Sequence, residues 1–219
     1  MIEFTMIAEI EKFVKSISKN SEPAHAYDHF DRVRKWGIKI AEGEGYNDIE
    51  SVQTACLMHD IGLIHGKKGH GERGAAMAEK FLKKVGYDKS KIEEICHAIR
   101  FHGSNRKGRK TELLDILRDA DMMELFGPIG IMRGSASGYL LPISDEMGQG
   151  QYRGYTAKDF DKLFDTGQVK WESIVDVLNF EISCYDNLNT DTGRKIADRW
   201  VDHSRKFLDE FEEQLREIE

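Results

Sequence analysis

The sequence predicts an all-α fold built as a single helical domain, and three observations carry that expectation. Apolar residues recur at helical spacing along nearly the whole chain, and convincing period-two stretches are absent. Proline is scarce, three in 219 residues, while Glu, Lys, Ala and Leu abound, a balance that favours helices over strands and turns. No repeat, low-complexity tract or linker divides the chain, and one domain of this length buries roughly 70% of its unfolded surface.

Taken in order, a first helix is expected over about residues 3–18, ending near Lys19-Asn20. A second runs from about Ala24 to Glu42 and stops at the glycines of EGEGYN. Asp48 is a plausible N-cap for a third, which continues through His59-Asp60 to Gly62. The stretch GLIHGKKGHG reads as a loop, followed by helices at about Glu72–Val85 and Lys89–Phe101. After the polar loop GSNRKGRK, a sixth helix is expected at Thr111–Phe126. Residues 127–155 contain seven glycines and little periodicity, so they read as a long flexible segment or lid. Two helices, about 170–186 and 190–217, finish the chain and are expected to pack on a core of about 22–126.

The overall charge narrows the function. A net charge of -7 and a pI near 5.7 argue against a nucleic-acid scaffold, which is usually basic. Cys56, Cys96 and Cys184 are isolated and odd in number, as expected of reduced thiols in a cytoplasm. Glu3, Glu9 and Glu11 break up the apolar N-terminus, which therefore reads as neither signal nor transit peptide. No apolar run approaches the roughly 20 residues that span a bilayer, so a cytoplasmic protein without a membrane partner is expected. Oligomeric state stays open, with the apolar residues of GYLLPI suited to a lid or an interface.

Chemistry is sought where acids and imidazoles interrupt apolar faces, because a buried charge needs a partner. His29, Val33, Trp36 and Ile40 share one stripe of the second helix. Val52, Ala55, Cys56 and His59 share a face of the third, with Asp60 at its edge. Leu113, Leu117, Asp121 and Leu125 are spaced by four, which gives Asp121 a core position. Asp119 points about 160° away from it and reads as solvated or structural. A lone His on a helix is more often a hydrogen-bonded core residue than a ligand. Three helices that each aim a His or Asp inward make a better case, and a mixed nitrogen and oxygen set suits a divalent first-row metal.

The segments AHAYDHFDRV, ACLMHDIGL and ILRDADMMELFG closely resemble the HD superfamily of metal-dependent phosphohydrolases. The order H…HD…D, the family's metal-binding signature, is carried by His29, His59-Asp60 and Asp121. The late segments YDNLNTDTGRKIADRW and KFLDEF resemble the small stand-alone bacterial branch, so the likeness covers about residues 22–212. It implies an HD/phosphodiesterase-type helical bundle with one divalent ion, or two, drawn from Mn, Fe, Ni, Co or Mg. It also implies hydrolysis of a phosphoester or phosphoanhydride in a nucleotide-type small molecule, with Asp60, His70 and His102 near the chemistry. Such an ion lowers the pKa of a water from 15.7 toward about 7. Alternatives within the resemblance are a dinuclear phosphodiesterase or dinucleoside polyphosphate hydrolase, and a di-iron oxygenase. A nucleotide-binding module without catalysis is a further alternative.

Other residues follow from the same likeness. His70 and His102 match places where relatives hold a second metal, and His102 extends the Ile95/Ile99 stripe. His25 precedes the ligand helix and can orient His29. His97 lies on the opposite face and reads as a rim residue, while His65 and His203 read as structural or solvated. For phosphate, Arg32 lies near His29, and Arg133 matches an arginine of the branch. Lys67-Lys68 and the run Arg106 to Lys110 are loop cations beside the candidate ligands.

Overall fold

The structure is a computed structural model that describes residues 6–19, 23–103, 108–137, 140–144 and 148–218. Among the described residues there are ten α-helices, several short 3-10 turns and no strand, as the periodicity predicts. The contacts divide the chain into two compact units. One is Met1–Asp121 with Asn189–Gly193, and the other is Met122–Leu188 with Arg194–Glu219.

The first unit contains α1 (Met6–Ile17), α2 (Tyr27–Glu44), α3 (Ile49–Met58), α4 (His70–Lys84) and α5 (Lys89–Phe101), and nearly all of α6 (Glu112–Met122). Its centre is α3, where Val52, Ala55, Cys56, Leu57 and Met58 have no exposed surface. This helix contacts α1, α2 and α5, which explains why its apolar pattern is broader than one stripe. Asp48 is its N-cap, accepting from the Ser51 amide at 3.2 Å. At the preceding boundary, Gly45 closes α2 at φ +72°, and its N–H returns to the Ala41 and Glu42 carbonyls. Phe13 of α1 stacks on Phe81 of α4 with centroids 4.1 Å apart.

Some expected boundaries move. The third helix stops at Met58, and the chain tightens into a 3-10 turn at Ile61–His65. Gly62 lets the start of α4 pack against this turn: a Cβ there would sit 2.1 Å from the His70 carbonyl oxygen. The fourth helix starts at His70, earlier than expected, so that histidine lies on regular structure.

The second unit corrects the sequence reading more strongly. The glycine-rich segment was expected to be flexible, yet Gly127–Ser137 forms a helix, α7. Its glycines serve close approach. A Cβ on Gly130 would lie 2.0 Å from the Leu125 carbonyl oxygen, and one on Gly134 would touch Leu178 and Glu181. Farther along, Gln151 N–H donates to Asp176 at 2.8 Å and Asn179 donates to the Gln149 carbonyl at 3.0 Å, so this part of the segment is also tied down. An unexpected helix, α8 (Ala157–Thr166), carries a capping box between Thr156 and Asp159. A second box, Ser173 with Asp176, starts α9 (Ile174–Ser183), and α10 (Asp191–Arg216) finishes the chain. Val175, Leu178 and Leu208 form a buried core here, against Ile131, Ile174, Ile182 and Phe211. In GYLLPI, Leu140 and Ile143 are exposed, while Gly138 and Tyr139 lie outside the described residues.

Candidate metal centre

The first unit brings together six residues that local periodicity had placed on separate elements. His29 comes from α2, His59 and Asp60 from the end of α3, and Asp121 from α6. His70 opens α4, and His102 closes α5. His29 and His59 have no exposed surface. Asp121 is surrounded by protein yet keeps 33% of its side chain open, and His70 keeps 22%. The centre is thus closed on one side and open on the other.

Backbone hydrogen bonds set the ring orientations. The Nδ1 of His59 lies 2.8 Å from the Cys56 carbonyl, that of His70 2.8 Å from the Lys67 carbonyl, and that of His102 2.7 Å from the Ile99 carbonyl. A carbonyl only accepts, so each Nδ1–H donates and each Nε2 presents its lone pair to the cluster.

These lone pairs converge on Asp60. One of its oxygens, Oδ2, lies 3.4 Å from His59 Nε2 and 3.9 Å from His29 Nε2. The other, Oδ1, lies 3.2 Å from His102 Nε2 and 3.4 Å from His70 Nε2. Asp121 Oδ1 completes the inner half at 3.6 Å from both His29 and His59. His29 and His59 face each other through Nε2 atoms 3.3 Å apart, and His70 and His102 do the same at 3.3 Å. Two lone pairs at that separation repel unless a cation or proton lies between them. Two groups, His29/His59/Asp121 and His59/Asp60/His102, have ligand atoms all within 4.8 Å of one another and can hold a metal ion. With nitrogen and carboxylate donors and no thiolate, the set suits a divalent ion of intermediate hardness.

The electrostatics agree. Burial by itself would lower the His59 pKa, but Asp60 and Asp121 outweigh it and hold the imidazole well above its ordinary value. Burial would raise Asp60, but His59 and His102 outweigh that effect and keep the carboxyl well below its usual range. Asp121 is likewise lowered, against its burial, chiefly by His59. His70 is lowered by burial, which Asp60 only partly offsets.

The remaining sequence candidates lie outside these six. His25 approaches Asp60 Oδ2 at 4.0 Å and meets the His29 ring edge-on, so its neighbours include the acid as well as His29. Asp119 is fully buried and not solvated. Its oxygens accept from the Asn189 amide and side chain at 2.8 Å each, and from the Thr190 amide and hydroxyl at 2.7 and 2.6 Å. Arg32 pairs with Asp28 at 2.7 Å. Arg133, in the second unit, donates to the Glu124 carbonyl at 3.2 Å. His97 bonds the Arg109 carbonyl at 2.8 Å, a rim role as expected. His65 and His203 are exposed. Arg106 and Lys107 lie outside the described residues.

Residues 26–125 match the HD domain family, and all six cluster residues fall inside that span. The chain carries an HD domain. A curated relative, the uncharacterized protein YpgQ of Bacillus subtilis strain 168, is 27% identical over 230 residues, covering 100% of this chain and 98% of that protein. The crystal structure of B. subtilis YpgQ in complex with ADP is similar at a TM-score of 0.68 and 19% identity, covering 98% of this chain and 97% of that one. A predicted HD superfamily hydrolase from an uncultured Thermotogales bacterium is similar at 0.60 and 24% identity, covering 93% and 89%. These structural likenesses establish the fold. The His/Asp groups could hold a metal ion. Among the described residues, no helix is long and apolar enough to cross a membrane.

Proposed function

We propose that this protein is a metal-dependent phosphohydrolase that cleaves a phosphoester or phosphoanhydride in a nucleotide-type substrate. The carrying observation is the division of Asp60, one oxygen toward His29 and His59, the other toward His70 and His102. In this reading His29, His59, Asp60 and Asp121 hold one divalent ion. Asp60, His70 and His102 hold a second, so the dinuclear form is favoured over the single-ion one. Bound ions supply a water of lowered pKa and polarise a phosphoryl oxygen.

The protein's own residues prepare the rest. Asp60 and Asp121 stay ionised because imidazoles face them, and their negative charge balances the ions. Each Nδ1–H bond to a carbonyl keeps the opposite nitrogen free to ligate. Arg32 and the loop lysines Lys67 and Lys68 provide cations for phosphate oxygens. The ADP held by YpgQ supports a nucleotide over other phosphoesters.

The test is a panel of nucleotides, dinucleoside polyphosphates and phosphodiesters, incubated with Mn-loaded protein and assayed for phosphate and pyrophosphate. Release from at least one substrate is expected, together with its loss in His59→Ala. No turnover by loaded protein, with the panel bound equally by His59→Ala, would leave a binding module. Oxygen consumption by an iron-loaded sample would favour the oxygenase alternative.

A further inference from the structure

Asp60 and His102 are buried, but His70 is the partly exposed member of its half of the centre. Packing alone does not hold such a ring, and its orientation depends on backbone. Its Nδ1–H donates to the Lys67 carbonyl at 2.8 Å, and its amide donates to the same oxygen at 3.3 Å. That carbonyl belongs to a short segment, 66–69, with glycines at φ +97° (Gly66) and +72° (Gly69) and no helical ladder of its own.

One side chain brackets it. Arg73 donates through one terminal nitrogen to the Gly66 carbonyl and through the other to the Lys68 carbonyl at 2.6 Å. Its Nε reaches the Gly62 carbonyl at 3.3 Å. Peptides 66–67 and 68–69, which flank the peptide carrying the Lys67 carbonyl, are therefore held by one guanidinium, which also ties the segment back to the turn after Asp60. Only a planar, permanently charged fork can serve three carbonyls in this way, because a lysine ammonium is a point donor on a flexible stem. Three of the five N–H donors of Arg73, one on each nitrogen, are thus spent on backbone carbonyls.

We propose that Arg73 is a positioning residue for His70, and through it sets the affinity of the His70/His102 half of the centre for its ion. The inference rests on the two-ion reading above. Loss of a group that orients a ligand costs about 10–100-fold in metal affinity. That loss is expected at the outer position alone, with the His29/His59/Asp121 position unchanged.

The experiment titrates wild type, Arg73→Ala, Arg73→Lys and His70→Ala with Mn(II). Bound ions per chain and the electron paramagnetic resonance spectrum are recorded, with circular dichroism as the check on folding. Wild type is expected to bind two ions and show a spin-coupled pair. His70→Ala should bind one ion with an uncoupled six-line signal at any Mn concentration. Arg73→Ala should resemble it at low Mn and recover the coupled signal at about 10–100-fold higher Mn, because its ring is still present. Arg73→Lys should fall between wild type and alanine. A folded Arg73→Ala with wild-type affinity for both ions would overturn the inference and leave the two-ion reading standing. Should Arg73→Ala not fold, Arg73→Lys decides: wild-type affinity for the second ion overturns the proposal, and a weakened one supports it. A wild type that binds a single ion would remove the two-ion reading and the inference with it, whereas a His70→Ala that keeps the coupled pair would overturn the inference by removing His70 as a ligand while two ions remain.

Discussion

Replacing Asp119 with alanine separates two aspartates that lie two residues apart on one helix. The wild-type carboxylate accepts four hydrogen bonds, at 2.8, 2.8, 2.7 and 2.6 Å, from the amides and side chains of Asn189 and Thr190. Bonds to a charged acceptor contribute roughly 1.5–3 kcal/mol each. Their full sum overstates the effect, because the four share one acceptor whose burial is itself costly, as its raised pKa shows. Crediting about two bonds' worth gives a loss of roughly 3–6 kcal/mol, a large part of the 5–15 kcal/mol typical of folded proteins. At about 2–4 °C per kcal/mol, the melting temperature of the apoprotein should drop by roughly 6–24 °C. Bound Mn per folded chain should stay near wild type, since Asp119 faces residues 189–190 and not the imidazoles. Asp121→Ala should do the reverse, emptying the site with little change in apoprotein melting. Thermal melts and metal analysis of both variants provide the comparison. An Asp119→Ala protein that melts within about 2 °C of wild type would refute the hydrogen-bond reasoning. One that folds but loses as much Mn as Asp121→Ala would refute the division of roles.

Other outcomes follow from the same geometry. Asp60→Asn should weaken both halves of the centre by about 10–100-fold or more, whereas His102→Ala should weaken one; equal metal loss in the two, by equilibrium dialysis, would count against a bridging carboxylate. Burial raises the Glu181 carboxyl to about 8, against an opposing pull from Arg133. The folded state then holds a proton that the unfolded chain releases near 4.5, so this group's contribution falls as pH rises from about 4.5 to 8, by at most about 5 kcal/mol. Urea unfolding at both pH values should show the loss in wild type and a flatter profile in Glu181→Gln; identical slopes would contradict it. Arg32→Ala should change stability by no more than about 1 kcal/mol, as for an exposed ion pair. In the same variant, KM for a hydrolysed nucleotide should rise about 10-fold, the equivalent of about 1.4 kcal/mol. An unchanged KM would remove Arg32 from the substrate site.

Helical periodicity made most of the first unit legible. The stripe through His29, Val33 and Ile40 is buried as predicted, and so is the face of Val52, Ala55, Cys56 and His59. Periodicity failed where glycine meant contact. Gly130 and Gly134 lowered the apparent helicity of 127–137, yet their missing side chains let α7 form and let its residues approach Leu125, Leu178 and Glu181. The Thr156/Asp159 capping box, by contrast, was present as a local signal that could have found α8. Arg73 gave no such signal, because its partners are carbonyls of an irregular segment.

By itself the sequence determined the all-α class and the ends of several helices, and it put His29, His59 and Asp121 on apolar stripes. Each of those depends on neighbours within a few residues, where spacing along the chain is also spacing in the helix. Only the tertiary structure decided that Asp119 is buried against residues 189–190, some 70 positions away. It also brought His70 and His102 to the same carboxylate, with Oδ1 of Asp60 facing them and Oδ2 facing His29 and His59. Those meetings depend on how separate helices pack, and a one-dimensional period carries no record of which helix faces which.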